Sequence, residues 1–172
     1  PMNRAVAVGE IGLDYYWEPY DRALQQTYFD LQMELARELS LPVVVHDRDA
    51  NGDSFDTACR YPDVHGVFHS YSGSAEEALD LCRRGWYISF SGTLTFKNAR
   101  RVREVAAAVP RDRILIETDA PYLTPHPHRG ERNHSGFLHL TCEMLAEVFD
   151  VTPEEASAIT FANARTLFRL PF

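Results

Sequence analysis

Short apolar runs recur along this chain, and stretches of helical period fill the spaces between them. The runs are AVAV at 5–8, PVVV at 42–45, GVF at 66–68, WYISF at 86–90 and ILI at 114–116. Runs this short and this rich in β-branched residues suit strands covered on both faces, because strict polar/apolar alternation is needed only where one face meets water. Buried strands that alternate with amphipathic helices build a parallel sheet with the helices outside it. The expected class is therefore α/β.

The intervening segments carry their own signals. Leu24, Tyr28, Leu31, Leu35 and Leu39 recur at three and four residues and mark one face of a helix over 21–40. Ser74 and Glu77 form a capping-box pattern ahead of a helix over 75–84. A helix over 99–109 stops at Pro110, and the Pro-, His- and Gly-rich segment 121–136 reads as a long loop. A helix near 137–149 follows, and Thr152-Pro153-Glu154-Glu155 caps a last one over 153–163. Neither an internal repeat nor a linker divides the chain, so residues 1–172 are expected to form one domain or one incomplete domain. The sequence opens Pro1-Met2-Asn3-Arg4 and reaches its first strand at once, an abrupt start for a complete domain.

Four of the apolar runs end in a residue able to bind a metal: Glu10 after AVAVG, His46 after PVVV, His69 after GVF, and Asp119 after ILIET. In parallel β/α folds the C-terminal ends of the strands face the loops that carry the chemistry. Carboxylate oxygen and imidazole nitrogen suit Zn, Mn, Fe or Mg, with the histidines tilting the balance away from a purely oxygen-loving site. Each residue alone has a plain structural reading, a hydrogen-bonded histidine or a carboxylate capping the next helix. Four coincident placements favour a metal site.

Around these four lies a weaker tier. Arg48 and Asp49 sit just beyond His46; Arg48 is a candidate phosphate contact, and Asp49 either caps the next segment or orients a ligand. Lys97, Arg129 and Arg132 are candidate substrate contacts from later loops, balanced against surface solvation and ordinary salt bridging. Asp14, Tyr15 and Tyr16 are placed to shape a pocket mouth, and Trp17 to stack a base, unless the aromatic residues pack their loop onto the sheet. His126 and His128 lie in a Pro-rich loop without a flanking strand, a poor setting for a metal.

Composition narrows the partners. A net charge of −8 argues against a protein that wraps duplex nucleic acid with a broad basic surface. It leaves room for a nuclease, because bound divalent cations supply positive charge where a phosphate sits. Cys59, Cys82 and Cys142 form neither a disulfide framework nor a thiolate metal pattern. No apolar segment is long enough for a membrane span and no signal peptide is visible, so a cytoplasmic location is expected.

Five segments in register, GEIGLDYYW at 9–17, PVVVHDRDA at 42–50, GVFHSYSG at 66–73, GWYISFSGTLTFKNA at 85–99 and ILIETDAPYLTP at 114–125, resemble successive motifs of the TatD family of metal-dependent deoxyribonucleases. The resemblance implies a TIM-type (β/α) barrel, here incomplete, with the five strands as strands four to eight of eight. It implies two divalent ions, Mg²⁺ first with Zn²⁺ or Mn²⁺ as alternatives. Glu10 would bridge them, His46 and His69 would hold one, and Asp119 would ligate the other and help activate water. The implied reaction is 3′-to-5′ degradation of DNA, with single strands or frayed ends preferred.

Two departures qualify this. The family opens with a His-x-His strand, and no such pair precedes Glu10, so the first three strand-helix units are expected to be missing. Arg132-Asn133-His134-Ser135 stands where the family reads Arg-Asn-Glu-Pro. Three alternatives remain open: a hydrolase of another phosphoester, amide or lactone on the same barrel, an inactive fragment, or a chain that self-associates or pairs with a partner supplying the missing strands.

Overall fold

A computed structural model describes residues 5–171. Its strands and helices alternate in the order β1 (Val8–Asp14), α1 (Arg22–Leu39), β2 (Val43–Arg48), α2 (Asn51–Arg60), β3 (Gly66–Phe68), α3 (Ala75–Arg83), β4 (Tyr87–Phe90), α4 (Arg100–Ala108), β5 (Ile114–Ile116), α5 (Leu138–Phe149) and α6 (Pro153–Phe168). The strands pair in sequence order, all parallel, as β1-β2-β3-β4-β5. Sequential parallel strands with helical crossovers are what an arc of a (β/α) barrel presents, which matches the expected class.

Strand alternation sorts the side chains onto two faces. Val43, Val45, Phe68, Ile88, Phe90 and Ile114 pack outward with Phe29, Met33 and Ala36 of α1, Leu81 of α3, Val105 of α4 and Leu145 of α5. Val44, Val67, Tyr87 and Leu115 cluster apart from that core, with Ala164, Leu167 and Phe168 at the end of α6. That second face has two tiers. Two residues beyond each of these apolar positions come His46, His69, Ser89 and Glu117. The lower tier is closed by α6, and the upper one carries the polar groups.

Three elements show more than the sequence reading stated. In α1 the stripe Leu24, Tyr28, Leu31, Leu35 and Leu39 is 45–58% exposed, and the core face is Phe29, Met33 and Ala36. The longer apolar pattern thus lies on the face turned away from the sheet. Helix α2 was not foreseen, because NGDSFDTACR is poor in helix formers. Tertiary contacts support it: Tyr15 Oη donates to Asp53 at 2.7 Å, Gln26 Nε2 donates to Thr57 Oγ1 at 2.8 Å, and Ser54, Thr57 and Ala58 are buried. Asp49 does not cap it; the cap is Ala50, without a side-chain bond. Helix α6 runs past the expected 163 to Phe168, starting from the capping box at Thr152 and Glu155.

Candidate metal centre

Glu10 and His46, which lie within β1 and β2 because both strands run on past the expected ends to Asp14 and Arg48, converge with His69 just beyond β3, one ligand atom from each lying within 4.8 Å of the other two. Among the described residues they form the one such group. His46 and His69 arrive by simple alternation, two residues past Val44 and Val67. Glu10 arrives differently. Between Val8 and Ile11 the β1 register slips against Val43 and Val45, so three steps of β1 span two of β2. A bulge of this kind re-aims a side chain beside a site. Gly12 holds the next turn of the strand at φ +132°, and a Cβ there would meet His46 O at 2.1 Å. Only glycine lets β1 approach β2 so closely.

Each histidine is oriented by a second carboxylate. His46 Nε2 lies 3.1 Å from Asp14 Oδ2, and His69 Nδ1 lies 3.0 Å from Glu117 Oε1. In a neutral imidazole such a carboxylate favours N–H on the nitrogen it faces, and the nitrogens turned to the centre are then His46 Nδ1 and His69 Nε2. These two nitrogens are 3.0 Å apart; Glu10 Oε1 touches His69 Nε2 and lies 3.8 Å from His46 Nδ1. A cation at the centre would let all three atoms act as electron-pair donors, where otherwise a proton on an imidazole nitrogen has to satisfy the contacts with Glu10. The chemistry fits a divalent metal with mixed nitrogen and oxygen ligands, and the paired carboxylates are the supports that metal-ligating histidines usually have.

The acidic surroundings favour positive charge at the centre, carried by a proton on His69 or by a cation in its place. Burial alone would lower the His69 pKa, but the hydrogen bond and charge of Glu117, with Glu10 and Asp119 behind it, raise it above the ordinary value. Burial would raise Asp14, yet hydrogen bonds from Tyr16 N, the His46 ring and Trp17 N hold it below the usual carboxylate range. Glu117 was not singled out in the sequence, nor was Ser89, whose hydroxyl donates to Glu117 Oε2 at 2.7 Å. The available signal was parity: Leu115, Glu117 and Asp119 alternate onto one face, with Glu117 one step deeper than Asp119.

Asp119 stands outside the three-ligand group. It lies beyond β5 at φ 55°. Burial, with Glu117 and Glu10 nearby, pushes its carboxyl up, while His69 and His46 oppose. Its loop is pinned by buried Asn133, whose Nδ2 donates to Thr118 O at 2.6 Å and Tyr122 O at 2.5 Å.

The basic candidates divide. Arg48 lies over Tyr16, with its guanidinium carbon 3.9 Å from the ring centroid, and 5.5 Å from Trp17. Lys97 and Arg129 line a separate cavity of about 640 Å³ with Phe96, Asn98, His126 and Pro127. Arg129 also donates to Thr124 O at 3.0 Å and stacks on Phe96. Arg132 is exposed. His128 pairs with Glu131 at 2.9 Å and stacks on Phe137.

Comparison with known proteins follows the same lines. Residues 2–169 match the family model described as TatD related DNase. The chain is 43% identical over 170 residues to the metal-dependent hydrolase YabD of Bacillus subtilis, covering 98% of this chain and 67% of YabD. It is 42% identical over 167 residues to YcfH of Escherichia coli, covering 96% of this chain and 63% of YcfH. The crystal structure of YjjV, a TatD homolog from Escherichia coli K12, superposes with a TM-score of 0.90 at 32% identity, covering 96% of this chain and 64% of that one. The chain thus spans about two thirds of the length of these relatives. With the fold, the motifs and the family model in agreement, the chain belongs to the TatD-related DNase family.

Proposed function

We propose that this chain carries the histidine-bearing side of a metal-dependent phosphodiesterase acting on DNA. The observation that carries the reading is the convergence of Glu10, His46 and His69, each histidine tied by its far nitrogen to a carboxylate. The family's description as DNases supports the substrate class. Two divalent ions are proposed; Glu10, His46 and His69 would hold one, and Asp119 together with Glu10 would hold the other. Bound there, they would supply the positive charge that makes water acidic and offsets the phosphate. Two imidazoles and a carboxylate favour Zn²⁺ or Mn²⁺ in affinity, whereas Mg²⁺ prefers an all-oxygen shell.

The chain's own residues do the positioning. Asp14 and Glu117 hold the imidazoles in the tautomers that present a lone pair. Asp119, with its carboxyl pushed up by burial, is suited to accept the proton of the attacking water at its carboxylate. Arg48 is placed to meet a phosphate near His46. Attack proceeds 3′-to-5′ on single-stranded or frayed ends.

The test is a gel assay of 3′- and 5′-labelled single-stranded DNA with Mg²⁺, Mn²⁺ or EDTA, beside Glu10→Ala. Metal-dependent shortening from the 3′ end, absent in the variant, is expected. Cleavage that persists in EDTA or in Glu10→Ala, or no cleavage by a folded sample, sinks the reading. Equal cutting of closed circles and free-ended strands removes its exonucleolytic part.

A further inference from the structure

Beside the metal centre, the loop after β1 holds two large aromatic residues in water: Trp17 is 66% exposed and Tyr16 50%. They are nevertheless ordered against one another. Their rings meet edge to face, centroids 4.8 Å apart at 88°, and the Arg48 guanidinium covers Tyr16. Among the described residues, no carboxylate pairs with Arg48; the rings hold it. The loop is fastened by Asp14, whose Oδ1 accepts from Tyr16 N at 3.0 Å and Trp17 N at 3.4 Å. The other oxygen of the same carboxylate holds His46 Nε2. One side chain therefore fixes both a candidate metal ligand and the aromatic pair.

We propose that Trp17, with Tyr16 and Arg48 behind it, is a stacking subsite for an unpaired nucleobase next to the phosphodiester held at the metal centre. The subsite rests on the phosphodiesterase reading. An indole that exposes two thirds of its surface offers a flat apolar face, and every base has a π-face to match it. In duplex DNA those faces are taken by neighbouring pairs, so the subsite selects single strands and tolerates any base. Arg48, charged and exposed, lies where the adjacent phosphate would run. Single-strand binders combine aromatic faces that stack bases with positive charge along the backbone, and here Trp17 and Arg48 bring one of each together.

The experiment compares fluorescein-labelled oligothymidylate with an abasic oligonucleotide of equal length, by anisotropy in EDTA, for the wild type, Trp17→Ala and Trp17→Phe. Stacking contributes enough that losing one ring weakens binding about tenfold. Trp17→Ala is expected to bind oligothymidylate about tenfold more weakly, Trp17→Phe within about twofold of wild type, and the abasic strand equally in all three. Tryptophan emission supplies an independent readout, because Trp86 is 1% exposed and stays constant while Trp17 is quenched by bases. Oligothymidylate binding unchanged in Trp17→Ala, equal loss for the abasic strand, or no binding by the wild type overturns the subsite. Hydrolysis of bis(p-nitrophenyl) phosphate, a diester without a base, separates the two ideas. Turnover of it without base-dependent binding leaves a phosphodiesterase and removes the subsite; base-dependent binding without any diester hydrolysis does the reverse.

Discussion

Replacing Glu117 by glutamine keeps the volume of the side chain, removes its charge and turns one acceptor oxygen into a donor. In the native arrangement Oε1 faces His69 Nδ1 at 3.0 Å while Oε2 accepts the buried Ser89 hydroxyl at 2.7 Å. If the amide oxygen keeps the Ser89 bond, the amide nitrogen faces His69 Nδ1. The imidazole then has to carry its proton on Nε2, the nitrogen turned toward Glu10 and His46, and loses the lone pair a metal needs. If the amide turns the other way, the tautomer survives, but the bond to His69 becomes neutral and Ser89 must reorient. A hydrogen bond to a charged group contributes about 1.5–3 kcal/mol against about 1 for a neutral one, so even this milder outcome costs about 0.5–2 kcal/mol. We expect affinity for Zn²⁺ or Mn²⁺, measured by competition with a chromogenic chelator, to fall roughly ten- to hundredfold. Thermal melts in EDTA should show the variant folded. Adding Ser89→Ala frees the amide oxygen to face His69 and should recover part of the loss. Equal affinity in wild type and Glu117→Gln would refute the argument that this carboxylate sets the ligand tautomer.

Other positions give independent checks. Met33→Ala, at a fully buried site, should cost about 2–5 kcal/mol in urea denaturation, while Leu31→Ala, at 58% exposure, should stay within about 0.5 kcal/mol; the reverse ranking would mean that α1 faces the other way. Gly12→Ala places a Cβ 2.1 Å from His46 O at a φ that side chains avoid, so metal binding and thermal stability should fall together; a variant that retains both contradicts the close approach of β1 and β2. Burial raises the Asp47 pKa, and its Oδ1 has no partner among the described residues. The group is therefore least costly when protonated, below the ordinary value of 3.8, and its penalty grows as pH rises through the raised pKa. Asp47→Asn should stabilise the fold by about 1 kcal/mol at pH 7 and leave it unchanged in strong acid, as read by melts across pH.

Much of the architecture was legible because it rests on short-range pattern. Buried parallel strands announce themselves as β-branched runs, and capping chemistry at Ser74 and Thr152 is local, so elements β2, α3, β4 and α6 could be placed without coordinates. Helix α2 could not, since its stability comes from Asp53 and Thr57 reaching partners 38 and 31 residues away. Helix α1 was legible but its facing was not, for a related reason: a periodic stripe shows that a helix has an apolar side, not which neighbour lies against it. At the site, strand ends pointed to Glu10, His46 and His69, and Asp14 was read as shaping a pocket mouth; its support of His46, and Glu117 altogether, were hidden because a carboxylate that supports a ligand looks, in one dimension, like any other acid.

The two-tier inner face makes the chain a ruler with a step of two residues. Each of Val44, Val67, Tyr87 and Leu115 is an anchor, and the functional group sits two positions on, about 6.6 Å further along the strand. Lesions of different kinds should then differ sharply in severity. A substitution at one mark disturbs one contact. A single-residue insertion between anchor and mark turns the functional side chain to the helix side of the sheet, burying a histidine or an acid among leucines and leaving a gap at the centre. A two-residue insertion would preserve the face and only lift the group along the strand. Length variation in this family should accordingly be confined to the loops beyond the marks, whatever freedom those loops have in sequence.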